Sequence, residues 1–110
     1  MKLPNARDAT VDRKKLESYL LSSAHPIGRS KAQFFRAVGF SESDAAILGR
    51  ALLDAAITGE VVETTKSPHG VKYTVAGLLA TPSGRQVKLR TIWIVEAGDA
   101  RPRLVTAYPF

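Results

Sequence analysis

The chain has no cysteine, only two histidines, one methionine and one tryptophan in 110 residues. Without a thiol there is no disulfide, no thiolate metal site and no cysteine nucleophile. His25 and His69 are too few for a histidine-rich metal site. The carboxylates Asp8, Asp12, Asp44, Asp54 and Asp99 are scattered without metal-ligand spacing, so neither metal nor cofactor is expected. No apolar run approaches the ~18 residues of a membrane span, and the first residues lack the apolar core of a signal peptide. The expectation is a soluble cytoplasmic protein that engages no membrane. GxSxG, P-loop and GxGxxG patterns are missing too, which removes the common hydrolase and nucleotide-binding signatures.

What the chain does have is basic charge. Sixteen basic against ten acidic residues give a net charge of +6 and an isoelectric point near 10.0. Residues 1–40 carry a net +5, residues 41–60 carry −3, and residues 61–110 carry +4. A basic front and back around an acidic middle predicts a one-sided field that attracts phosphate. A merely soluble surface is the plainer alternative. A hydrophobic content of 45% in 11.9 kDa suits one domain, residues 1–110, with one core.

Periodicity divides that domain into a helical half, about 12–58, and a sheet half, about 60–108. Asp12 can cap a helix reaching about Ser22, with Leu16, Tyr19 and Leu20 on one face. The stretch His25-Pro26-Ile27-Gly28-Arg29 breaks it. A second helix starts near Ser30, whose spacing to Gln33 fits a capping box, and ends at Gly39. Ser41 with Asp44 repeats the start signal more weakly, because aspartate is short for the reciprocal bond. Ala45, Leu48, Leu52, Leu53 and Ala56 then keep helical spacing up to Gly59.

From Glu60 the period falls from 3.6 to 2. Strands are expected at 60–65, 70–79, 85–96 and 103–108, separated by turns rich in Pro, Gly, Ser and Asp. Ile92-Trp93-Ile94-Val95 is apolar on both faces, which makes the third strand central. The fold class is therefore α+β, with two to three N-terminal helices packed on a four-stranded antiparallel meander. If Thr81 pairs with Arg85, Tyr73 lies opposite Trp93 and Val75 opposite Thr91. One sheet face then carries Tyr73, Val75, Leu89 and Trp93 and takes the helices. The other carries Lys72, Thr74, Lys88, Arg90, Ile92 and Ile94. A bulge at Gly77 would shift this register.

The densest candidate for chemistry is the turn into the second helix. A helix N-terminus offers unpaired N–H groups and a positive dipole end. Arg29 can grip a phosphate in two parallel hydrogen bonds, and Lys31 adds a point charge. His25 can both take and give a proton near neutrality. Together they suit phosphodiester cleavage without a metal, the histidine activating a ribose 2′-OH and the cations stabilising the phosphorane oxygens. The rival reading is a polar capping turn with solvated charges. A second candidate is a hydroxyl group of Thr91, Thr106 and Tyr108, which are neighbours if Trp93 faces Thr106; ordinary strand pairing explains the same residues. Lys72, Lys88 and Arg90 can follow a nucleic-acid backbone or simply solubilise the sheet. Trp93 and Tyr73 are read as core, and His69 as an exposed turn residue.

The segments KLPNARDATVDRKKLESYLL, HPIGRSKAQFF, GVKYTVAGLL, RTIWIVEAG and PRLVTAYP, in that order over nearly the whole chain, resemble an uncharacterised bacterial domain family. Its members occur as small stand-alone proteins, with related segments at the C-termini of secreted polymorphic toxins. The resemblance implies relation to the barnase/colicin/RelE-like group of metal-independent ribonuclease toxins. It marks His25, Pro26, Gly28, Lys31 and Phe35, then Lys72, Tyr73, Trp93 and Thr106-Ala107-Tyr108-Pro109. It does not mark His69.

The leading expectation is thus a ribonuclease-like toxin domain acting on RNA. His25, Lys31, Thr106 and Tyr108 would be catalytic, and Arg29, Lys72 and Arg90 would bind substrate. The alternatives are a non-catalytic module that binds an acidic antitoxin or immunity protein, and a degenerate toxin domain that keeps only RNA affinity. Oligomeric state is not read from the sequence.

Overall fold

The computed structural model describes residues 1–16 and 29–110, with the backbone alone at Lys15, 29–32 and Glu42. Asp12 caps the first helix as its side chain predicts, accepting a hydrogen bond from the Lys14 N–H at 2.9 Å. Helix α1 spans Arg13–Lys15, and Leu16 follows it into the core. The continuation expected to Ser22, with Tyr19 and Leu20, lies outside the described residues.

Helix α2 spans Arg29–Ala37, so Ser30 stands inside it rather than before it. Its end is set by Gly39, which takes a φ of 108°. The N–H of Phe40 donates to the Phe35 carbonyl at 2.9 Å, and that of Gly39 to the Arg36 carbonyl at 3.0 Å. These are the paired bonds of a Schellman stop, which needs a positive φ just past the helix. The apolar contact that accompanies such a stop is Phe35 against Phe40, edge to face at 6.2 Å and both buried. Asp44 reaches further back than its length suggests. Its Oδ2 accepts from the Ser41 N–H at 2.8 Å and the Ser41 hydroxyl at 3.1 Å. A 3₁₀ turn at Glu42–Asp44 leads into α3, Ala45–Thr58, whose Ala45, Leu48, Leu52 and Ala56 form the buried stripe.

Strands β1 (Glu60–Ser67), β2 (Gly70–Ala80), β3 (Gln86–Glu96) and β4 (Arg103–Pro109) form one antiparallel sheet in chain order. The α+β architecture and the inner position of β3 are as the sequence pattern requires. In the β2–β3 ladder Tyr73 faces Trp93 and Val75 faces Thr91, and the pairing runs unbroken from Gly70 to Ala80. There is no bulge at Gly77. That glycine has a different cause: a Cβ there would sit 2.9 Å from the Ala55 carbonyl oxygen, so its absence lets the last turn of α3 lie directly on β2.

Bulges occur instead in the two outer strands. The extra residues are Val62 in β1 and Val105 in β4. The second corrects an expectation, because Trp93 faces Leu104 and Thr106 faces Ile92. Leu104 and Ala107 are three residues apart and would point to opposite faces of a regular strand. Both are fully buried, and the extra residue is what turns both inward. On the same covered face Val75, Leu79, Leu89 and Trp93 meet Phe35, Phe40, Leu48 and Leu52. Thr91 is buried there too, and its Oγ1 accepts a hydrogen bond from Trp93 Nε1 at 2.7 Å. Thr10 lies parallel along β4 and shields the start of that edge.

Candidate functional site

Residues paired across a ladder share a sheet face, so the registers map the face away from the buried helices row by row. One row runs Thr65, Lys72, Ile94 and Arg103; the next runs Glu63, Thr74, Ile92 and Thr106. The third runs Glu60, Ala76, Arg90 and Tyr108. Beyond it Leu78 faces Lys88. The Val105 bulge creates this arrangement. It moves Thr106 and Tyr108 onto the outer face beside Arg90 and leaves Thr91 inside.

Arg90 is the centre of the surface. It is half-buried, and its guanidinium carbon lies 4.7 Å from the centroid of the Phe110 ring, a cation–π distance. Arg90 Nε and Thr106 Oγ1 are both buried and have no hydrogen-bond partner among the described residues. The two side chains are diagonal neighbours on adjoining strands. A buried polar atom without a partner costs about 1–3 kcal/mol. Both atoms are closed to solvent, so neither can bond a ligand on this face without a local rearrangement.

The electrostatics also single out this face. Lys72 and Lys88 are exposed, and neither they nor Arg90 pair with a carboxylate among the described residues. Arg103 is compensated by Glu96, which accepts from its Nη2 at 2.6 Å and its Nε at 3.0 Å. Glu60, in the same row as Arg90, is engaged elsewhere. A hydrogen bond from Lys2, at 3.0 Å, and then one from the terminal ammonium hold its carboxyl below the usual glutamate range. Asp99 is lowered as well, chiefly by the Arg101 backbone N–H at 2.9 Å.

Of the residues singled out from sequence, Arg90, Thr106 and Tyr108 are brought together. Lys72 shares their face but stands four residues along β2 from Ala76, the partner of Arg90, roughly 13 Å away along the strand. His25 lies outside the described residues. Arg29 and Lys31 are in the first turn of α2, and their side chains are likewise not described. Thr91 is separated from Thr106 and Tyr108 by the thickness of the sheet. Tyr73 and Trp93 belong to the core side, and His69 is an exposed turn residue whose N–H donates to Ser67 Oγ. Phe110 lies beyond both the strand expected at 103–108 and the observed β4, which ends at Pro109. The alternation Thr106, Tyr108, Phe110 carries the signal, since it aligns all three on one face. A separate groove of about 610 Å³ between α3 and the β2–β3 turn, lined by Ile47, Ala51 and Pro82 among others, holds none of these residues.

The fold and this face define an α+β domain with helices on one side of an antiparallel meander and a cationic, hydroxyl-bearing surface on the other. The chain belongs to the family described as Domain of unknown function (DUF6883), whose profile matches residues 2–110. A search of curated proteins gives no match. Among solved structures, the chain is similar to one in a contact-dependent growth inhibition toxin–immunity protein complex from Klebsiella pneumoniae 342. The identity is 19%, the TM-score 0.73, and the likeness covers 94% of this chain and 95% of that one. At this identity the likeness is one of fold.

Proposed function

We propose that the chain is a toxin-type domain that cleaves RNA without a metal. The observation that carries this reading is the outer sheet face, where Arg90, set over the exposed Phe110 ring, adjoins Thr106 and Tyr108 in a field set by Lys72 and Lys88. In the proposed reaction a ribose 2′-oxygen attacks the adjacent phosphorus and the bond to the 5′-oxygen breaks, leaving a cyclic phosphate. His25 takes the 2′-OH proton while solvent water protonates the departing 5′-oxygen, or His25 protonates that oxygen while water takes the 2′-OH proton. Lys31 and Arg29, at the start of α2, steady the scissile phosphate, while Lys72, Arg90, Thr106 and Tyr108 on the other side of the sheet hold flanking backbone. The resemblance to toxin-associated domains and the fold shared with a chain of a toxin–immunity protein complex support the toxin class.

The test is incubation of the purified protein with total RNA, with and without chelator. Cleavage that survives the chelator and leaves cyclic-phosphate ends is the expected result. His25→Ala should lower the rate by about 10²–10⁴-fold with the fold intact. Equal activity in that variant removes His25 from the mechanism, and no product under any condition refutes catalysis. A second reading is a module that binds an immunity-type protein. It is favoured by the apolar Ile92, Ile94 and Leu78 on the same face, the last 51% exposed.

A further inference from the structure

We infer that Arg90 and Phe110 form a nucleotide subsite for single-stranded RNA, with a base stacked on the Phe110 ring and the adjoining phosphate held by the Arg90 guanidinium. This rests on the reading of RNA as the substrate class and specifies how one nucleotide is held. Phe110 is 55% exposed, although an aromatic ring of its size normally gains by burial. The Arg90 guanidinium lies over it at 4.7 Å, so ring and cation present one composite surface. A base has the flat π face that such a ring accepts whatever its sequence, and an arginine beside it adds a cation–π contribution.

The occupant follows from charge and shape together. Arg90 forms no ion pair with a carboxylate among the described residues, and Lys72 and Lys88 extend the cationic surface along β2 and β3. That selects a polyanion. The Arg90 side chain is half-buried with its guanidinium over the Phe110 ring, which fixes the cation beside the place a stacked base would take. An acidic peptide does not repeat a flat ring beside every charge, as each nucleotide does. A duplex offers the charge but keeps its bases stacked inside, so the strand must be single. The 4.7 Å between the guanidinium carbon and the ring centroid puts the base and phosphate positions within one nucleotide of each other.

The experiment uses a short fluorescent RNA with 2′-O-methyl riboses, which cannot be cleaved through the 2′-oxygen, so binding is read apart from catalysis. Anisotropy is followed from about 50 to 200 mM salt. Phe110→Leu should weaken binding by about 10-fold or more at every salt concentration while leaving the salt slope unchanged. Phe110→Trp should restore it. Arg90→Gln should weaken binding and also reduce the salt slope by about one. Phe110 is a surface residue, so its variants should keep the wild-type circular dichroism. Wild-type affinity in Phe110→Leu, or equal affinity for the duplex form, overturns the subsite while the RNA reading stands. A wild-type protein with no affinity for the RNA overturns both the subsite and the RNA reading.

Discussion

Thr91→Val tests the inner half of the sheet most directly. Thr91 Oγ1 is the acceptor for the Trp93 indole N–H at 2.7 Å, and both side chains are essentially inaccessible to solvent. Valine keeps the shape but removes the acceptor. Leaving a buried donor unpaired costs about 1–3 kcal/mol. Exchanging the hydroxyl for a methyl returns up to ~0.8 kcal/mol of apolar transfer. The net loss should be about 1–2 kcal/mol, a fall in Tm of roughly 5–10 °C for a domain of this size. Trp93 is the one tryptophan in the chain, so its emission follows urea unfolding without a label. The midpoint should drop with an unchanged denaturant slope, and the indole N–H should exchange faster by NMR. In a Trp93→Phe background, followed by circular dichroism, Thr91→Val should cost far less, because the donor is gone. Equal cost in both backgrounds, or a Thr91→Val variant as stable as wild type, would refute the role given to this hydrogen bond.

Two further perturbations probe other parts of the structure. Gly77→Ala should destabilise by about 1–3 kcal/mol through overpacking, since the new Cβ would press on the Ala55 carbonyl at 2.9 Å. Unchanged urea stability would mean that α3 does not sit so close to β2. The Glu60 carboxyl should titrate below the ordinary glutamate range in an NMR pH series, because the hydrogen bond from Lys2 favours its ionised form. A folded value below the unfolded one means that its contribution to stability is present above the ordinary glutamate pKa. That contribution is lost as pH falls through the lowered folded value. Lys2→Ala should move the titration back upward, and an unmoved curve would assign the shift to another cause.

Local chemistry made much of this fold legible in the sequence. Asp12 caps α1, Gly39 ends α2, and Leu48, Leu52 and Ala56 line the inner face of α3, because each signal depends on residues within a turn or two. The β2–β3 register was legible for the same reason. Thr81 and Arg85 close a short turn, the Thr81 N–H donating to the Arg85 carbonyl at 3.1 Å, and the alternation beyond it is strict. From that register alone Lys72, Lys88 and Arg90 share the face opposite Trp93.

What the tertiary structure decided is on which side of the sheet the last strand's hydroxyls lie. The helices cover one face, and both Leu104 and Ala107 must reach it although their spacing is odd. The Val105 bulge reconciles the two demands. It carries Thr106, Tyr108 and Phe110 to the outer face with Arg90 and leaves Thr91 bonded to Trp93 beneath them. Gly77 teaches the same lesson. In isolation a glycine within a strand reads as a bulge, and the approach of α3 gives it a different purpose. Alternation along one strand specifies two faces, but only packing against a separate element determines which face is inside and where the alternation must break.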